Sequence, residues 1–443
     1  TAHHFAPKEP MMSTRTQHTC GVLLLLLVAS SLATAQWQTH TVHQLNGQAS
    51  PFQLAARFQI VTESWNRVVA VPYLVYMPEK NRLLMLVGCD YPHRAFVLTS
   101  DDQGANWSDP RPAQVDNDGQ PSIGMGTSLV YLGDGKLLFY ESAGLAVGAP
   151  ERWFSSDYGQ TWNRPVPIGP APGGQPWSIW DPPLVERDPE TGKVTRLIET
   201  GYDSSNRVSQ AYLRSSTDLG RTWSKATKVP QWYRANEICL LRTGNGRLLA
   251  ACRTDIPERL EGKTLDHYEG LGISFSGDEG RTWSPIRKLY DYGRHHPSLV
   301  LMPNHDIVMT YVVRLGYTPD PHGYPQFAIE AIVSHDHGVT WDLDHRYLLH
   351  VWSGKRKGAT YWWPSSQATS SVLLPDASIL TLFGTGYRIQ ASPDSPQAPR
   401  DAGLVRWQLN HQKINDDRTI RQADFDSELR NRFDPGPVLN PRE

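Results

Sequence analysis

The sequence predicts an all-β, six-bladed propeller, and two repeating patterns predict it. The first is an eight-residue phrase written five times, at residues 100–107, 155–162, 216–223, 276–283 and 334–341. Its shared form is S-x-D-x-G-x-T-W, with Asn106 in place of the Thr in the first copy. The closing tryptophans Trp107, Trp162, Trp223, Trp283 and Trp341 are 55, 61, 60 and 58 residues apart, a period that signals a stacked or radial array. The second pattern precedes each phrase: an apolar run, a polar turn and another apolar run, the mark of a β-hairpin.

The phrase has the chemistry of a tight turn between strands. Its Ser and Asp side chains can bond nearby backbone N–H groups, its Gly supplies a positive φ, and its Trp packs back onto the sheet. That is a folding device rather than a catalytic one. The hairpins follow in order: residues 71–88 around Glu79-Lys80-Asn81, 127–140 around Gly133-Asp134-Gly135, and 183–198 around a turn at 189–192. Next come 238–252 around Asn245-Gly246, 297–313 around Pro303-Asn304-His305, and 371–383 around Pro375-Asp376. Each unit is then two inner strands, a loop and two outer strands joined by the phrase, a four-stranded blade. The sixth hairpin has no phrase after it and runs on to residues 402–407. A strand within 52–63 is expected to pair there and close the ring, because an open edge invites aggregation. The propeller is placed at residues 50–412. Residues 413–443 form a charged, Pro-containing tail, read as a surface wrap or disorder.

Five such phrases in register resemble the sialidase superfamily of Asp-box (BNR-repeat) β-propellers, over residues 55–410. The resemblance implies a glycoside hydrolase, exo-acting on a terminal, acidic, sialic-acid-like sugar of a glycan or oligosaccharide, with no cofactor.

The N-terminus and composition set limits on partners. Residues 1–10 lie upstream of any Met. Residues 11–35 read as a cleaved signal peptide: Arg15, then the apolar run 22–28, then Ala33-Thr34-Ala35 before Gln36. The apolar run is too short to span a bilayer, so a secreted or periplasmic protein without a membrane span is expected. A formal net charge of -2 without a basic block argues against nucleic acid. No Cys/His spacing suggests a metal site. If Asn245-Gly246 is a two-residue turn, Cys239 and Cys252 face each other across a hairpin, and a disulfide or two free thiols are both open. Nothing in the sequence sets the oligomeric state.

In this architecture the hairpin turns and phrase turns point to one face and the open ends of the inner hairpins to the other. The open ends carry Asp90, His93 and Arg94, then Glu141, then Trp180, Asp181, Glu199 and Tyr202, followed by Glu237, Arg253 and Asp255. Behind them come His295, His296 and Arg314, and finally Trp362, Trp363, Gln367, Tyr387 and Arg388. Acids, cations and aromatics gathered at one rim suit an acidic or polyhydroxylated sugar.

Glu237 and Arg253 stand at the two ends of one hairpin. In the resembling family that hairpin carries a Glu that acts as base for a tyrosine nucleophile and an Arg that binds the substrate carboxylate. The implied catalytic set is Glu237, Asp90 and Tyr387; Arg253, Arg314, Arg388, His296 and Trp363 are the expected substrate-binding residues. The chain departs from the family elsewhere. Ala70 replaces an Arg of the first blade, residues 325–328 lack another, and Gln367-Ala368-Thr369-Ser370 replaces the usual site of the nucleophile. Two alternatives therefore stand beside the hydrolase: a polysaccharide lyase using His93, His295, His296 or Tyr268 with Arg, and a non-catalytic glycan-binding propeller. The group beside Glu237 discriminates them. A tyrosine (Tyr361, Tyr387 or Tyr268) favours the hydrolase, a histidine the lyase, and neither favours binding alone.

Overall fold

The computed structural model describes residues 36–47, 49–142, 150–203, 208–260, 262–388 and 399–410. The expected leader and tail lie outside them. Strands β1 (Gln38–Asn46) and β2 (Ala49–Ile60) come first. The first four-stranded sheet holds β3 (Val69–Met77), β4 (Arg82–Cys89), β5 (Arg94–Ser100) and β6 (Arg111–Pro112). The second holds β7 (Gly126–Gly133), β8 (Lys136–Glu141), β9 (Glu151–Ser155) and β10 (Asn163–Pro167). The third holds β11 (Leu184–Arg187), β12 (Val194–Asp203), β13 (Gln210–Ser216) and β14 (Thr227–Tyr233). The fourth holds β15 (Ala235–Arg242), β16 (Leu248–Thr254), β17 (Gly270–Ser276) and β18 (Arg287–Tyr290).

The remaining strands are β19 (Arg294–Leu301), β20 (Ile307–Val313), β21 (Gln326–Ser334), β22 (Asp342–Ser353), β23 (Thr369–Leu373), β24 (Ile379–Gly384) and β25 (Ala402–Trp407). With β1 and β2 they make one nine-stranded sheet, ordered β19-β20-β21-β22-β1-β2-β25-β24-β23. Apolar side chains fill the gaps between neighbouring sheets. Leu86 and Val97 pack with Met125 and Phe139 between the first and second, and Ile198 and Leu213 with Ile238 and Leu248 between the third and fourth. Leu83 and Met85 of the first sheet pack with Leu380 and Leu404 of the last. The sheets thus stand in a ring, an all-β propeller-like fold. Among the described residues no helix is long and apolar enough to cross a membrane.

All five phrases adopt one turn. In each, the Ser hydroxyl donates to the Asp Oδ1 at 2.8 Å and accepts from the Gly N–H at 2.8–3.0 Å. The Asp carboxylate then accepts from the backbone N–H four residues on, at 2.7–2.9 Å. That residue's side chain adds a second bond at 2.6–2.7 Å. The glycines sit at φ of 79–89°, which only a residue without Cβ adopts freely. Trp162, Trp283 and Trp341 are buried behind the turns. Burial alone would raise the Asp336 carboxyl, but these hydrogen bonds hold it below its ordinary value. Asp336→Ala is expected to cost about 1.5–3 kcal/mol, the scale of hydrogen bonds to a charged group, read as a lower urea midpoint at unchanged slope.

β2 pairs with β25, Phe58 opposite Val405, where the closing strand was expected. β1 was not expected. It pairs with β2 and reaches β22 at His43↔Leu348 and Gln44↔Tyr347, so the fold begins ahead of residue 50. Its residues are mostly polar and only Val42 and Gln44 are buried, which leaves little periodicity to read. The Cys239–Cys252 disulfide does not form, and both are free thiols. The hairpin turn is longer than Asn245-Gly246: Thr243 N–H donates to Arg247 O at 2.9 Å, and Gly246 N–H to Thr243 O at 2.9 Å. The register therefore sets Cys239 opposite Ala251 and Cys252 opposite Ile238.

Candidate functional site

The inner strands β3, β7, β15 and β19 each lose register near their open ends. The breaks fall between Ala70 and Tyr73, Thr127 and Val130, Asn236 and Ile238, and His295 and Ser298. Each bulge holds a non-glycine residue at positive φ: Val71 at 42°, Ser128 at 58°, Glu237 at 43° and His296 at 56°. A bulge re-aims its side chain out of the pleat, and a non-glycine residue in this region costs about 1–3 kcal/mol. In the third sheet the inner strand breaks at 180–183, between the Ser178↔Tyr202 bridge and β11. Tyr73, Leu129, Asp181, Glu237, His296 and Ala368 together line an axial cavity of about 240 Å³.

Glu237 is the centre of the charge cluster, 6% exposed. Its Oε1 accepts from Arg253 Nη1 at 2.8 Å. His296 Nδ1 stands 2.5 Å from its Oε2, a close contact off the line of a good hydrogen bond. Arg253 Nη1 also lies 3.3 Å from His296 Nε2. Because Arg can only donate, Nε2 accepts and the ring proton resides on Nδ1, facing Glu237. Arg253 Nε pairs with Glu269 Oε2, and Nη2 lies 3.5 Å from Asp266 Oδ2. Asp266 Oδ2 also takes Arg314 Nη1, while His267 Nδ1 lies 3.0 Å from Asp266 Oδ1.

Environment sorts these groups by protonation. Burial favours a neutral Glu237, but Arg253 and then His296 outweigh it and hold the carboxyl at about 2. Burial raises Glu269 to about 7 against the pull of Arg253. Desolvation would raise Asp266, which keeps 39% of its side chain exposed, yet Arg314 and His267 keep it well below the usual carboxylate range. Asp181 goes the other way: burial and the nearby Glu237 charge push it well above. Its Oδ2 is buried without a hydrogen-bond partner. Burial lowers both His295 and His296, which are therefore neutral imidazoles.

Four of the eight expected site residues meet here: Glu237, Arg253, His296 and Arg314. The other four do not join them. Asp90 accepts from Arg67 Nε at 2.9 Å and Nη2 at 2.5 Å, and burial is outweighed by that guanidinium, so its carboxyl is lowered. Tyr387 Oη lies 2.6 Å from Tyr91 Oη and accepts from Arg400 Nη1 at 3.1 Å. Arg388 makes a two-pronged pair with Asp401, at 2.7 Å for each oxygen. Trp363 packs at a tilt against Tyr387, ring centroids 5.4 Å apart, under the Arg356 guanidinium. Each of the four is absorbed by a neighbour that loop sequence does not announce. Among the described residues no tyrosine hydroxyl bonds Glu237; the Tyr268 and Tyr361 hydroxyls are buried without partners.

Sequence reasoning missed Asp266 and Glu269 altogether. A signal existed: residues 266–269, Asp-His-Tyr-Glu, lead directly into β17, and a third strand begins at the end where β16 finishes. Open ends of the inner hairpin were counted, and starts of the third strand were not.

Residues 129–290 match the family described as BNR repeat-like domain. No curated protein is significantly similar to the chain. Among solved structures, a protein of unknown function from Dyadobacter fermentans aligns with TM-score 0.52 and 18% identity, over 77% of this chain and 96% of that one. The α-L-arabinofuranosidase of Fusarium graminearum in complex with arabinobiose aligns with TM-score 0.51 and 15% identity, over 83% and 98%. A Hadza microbial sialidase aligns with TM-score 0.50 and 16% identity, over 77% and 66%. At these identities the likeness is one of fold.

Proposed function

We propose that this chain, a sialidase-like BNR-repeat propeller in fold, is an exo-acting glycoside hydrolase with Asp181 as acid and Glu237 as its carboxylate partner. The observation that carries the reading is that both carboxyls line one cavity, where burial pushes Asp181 well up while Arg253 holds Glu237 down. Environments that push two carboxyls apart are how one site supplies an acid and a base together. The nine-stranded sheet counts as two blades, β19–β22 and β23–β25 with β2, bridged by β1, which makes six blades carrying five Asp-boxes. A cavity of about 240 Å³ lies below the roughly 300–1,000 Å³ of drug-sized sites and suits a single sugar ring. Export rests on the segment at 11–35.

Asp181 gives its proton to the glycosidic oxygen as the bond to the anomeric carbon breaks. Glu237, held ionised by Arg253 and His296, faces the positive charge that develops on the ring. It either takes the proton of an attacking water or forms the covalent intermediate; inversion or retention of the anomeric centre in the product tells which.

A histidine does stand beside Glu237, the arrangement expected of a lyase. Against that reading, His296 Nδ1 faces Glu237 and Nε2 accepts from Arg253, so neither nitrogen is free to remove a substrate proton.

The pH profile tests the assignment. The acid works only below its own raised value, so activity should fall as pH rises through it. The partner works only when ionised, so activity should persist down to about 2, where Glu237 protonates. Asp181→Asn should remove the alkaline limb. It should slow release of a poor alcohol leaving group by about 10²-fold, the low end for general acid catalysis, and a nitrophenol far less. An unchanged alkaline limb would exclude Asp181 as the acid.

A further inference from the structure

Charge decides which sugars can sit beside Glu237. A carboxylate-bearing sugar is best held by a guanidinium that offers it two parallel N–H groups. Arg253 has no such pair to offer, and Arg314 has already committed three of its five N–H groups. Arg253 gives Nε to Glu269 and Nη1 to Glu237 and His296, and its Nη2 stands 3.5 Å from Asp266 Oδ2. Arg314 gives Nη1 to Asp266, Nε to Ser366 O at 2.9 Å and Nη2 to Gln367 O at 3.4 Å.

Three carboxyls therefore face two guanidiniums. The cluster is neutral when Glu269 is protonated and carries one net negative charge when it is not. The neighbouring histidines are neutral and add no positive charge. Arg400, another buried guanidinium, lies over the Tyr387 ring and donates to its hydroxyl. A second carboxylate brought in by substrate would meet occupied arginines and the ionised Glu237 and Asp266.

We propose that the site takes a neutral sugar, without a carboxylate, and that Asp266 and Glu269 set this selectivity by occupying the two guanidiniums. The proposal rests on reading the cavity as a glycosidase site and departs from the acidic sugar that the sequence resemblance implies. Asp266 and Glu269 act here as specificity-determining residues; the bond-breaking groups remain Asp181 and Glu237.

The test uses the full chain and 4-nitrophenyl glycosides in matched pairs that differ only in the carboxylate, such as glucoside with glucuronide and galactoside with galacturonide, extended by neutral pentosides and a sialoside. Hydrolysis is followed in the wild type, and binding of the same compounds is measured by calorimetry on Glu237→Gln. The neutral member should be preferred by about 10- to 100-fold, the scale of one charged contact. Glu269→Gln and Asp266→Asn should each shift that ratio toward the anionic member; Asp266, with 39% of its side chain exposed, is the variant safer for folding. Hydrolysis of a sialoside or uronide as fast as the neutral compounds, lost in Glu237→Gln, would overturn the neutral-sugar proposal and keep the hydrolase. Binding that prefers the neutral member without turnover of any compound would sink the hydrolase and keep the charge selectivity. Variants that leave the ratio where the wild type has it would remove Asp266 and Glu269 from the role.

Discussion

Glu237→Gln should lower kcat by about 10²–10⁴-fold, the range for loss of a positioned acid or base, with a much smaller change in KM. The substitution keeps the shape and an oxygen for Arg253 Nη1 while removing the charge that faces the reacting carbon. Separate effects on kcat and KM identify an interaction made in the transition state. A rise in KM alone, with kcat unchanged, would make Glu237 a binding residue. The carboxyl also leaves a stability signature. Its folded value of about 2 lies below the ordinary value of 4.5. Its contribution is therefore fully present above the ordinary value and is lost as pH falls toward 2. The wild type should lose stability in that window, and Glu237→Gln should lose less.

Arg253→Leu should destabilise the fold by about 3–5 kcal/mol, because it strips compensation from buried carboxyls. Only 11% of the Arg253 side chain is exposed, with Glu237 at 6% and Glu269 at 17%. Solvent cannot replace the lost guanidinium for either acid. Glu237 should then protonate at higher pH, which would reach the chemistry through the same ion pair. Arg253→Lys should cost less stability than Leu, since a point charge remains, but it cannot serve four partners with one ammonium. An arginine that merely waits for a substrate carboxylate would behave oppositely, losing affinity while the melting temperature stays put. Denaturant unfolding of the three proteins at neutral pH separates the two cases. A loss under about 1 kcal/mol, typical of a surface ion pair, would show that the carboxyls find other compensation.

Local chemistry determined the frame of this protein. The turn in each S-x-D-x-G-x-T-W phrase is made by residues within eight positions of one another, so five identical hydrogen-bond sets could be read from spacing alone. The same holds for the six inner hairpins and for Glu237 with Arg253, which lie at the two ends of one hairpin. What only the folded structure decided are the length of one turn and matters between hairpins. The cysteine register turned on the length of one turn, and β1 is held by partners far along the chain, Leu348 and Tyr347. Arg388 found Asp401, and Asp90 found Arg67. Above all, the loop before β17 carried Asp266 and Glu269 onto Arg253 and Arg314. The bulge at Glu237 and the strand break at 180–183 set Glu237 and Asp181 in one cavity, where a guanidinium beside the first and none beside the second drive their protonation apart. Charge state depends on burial and on neighbours in space, and neither is written in the order of residues.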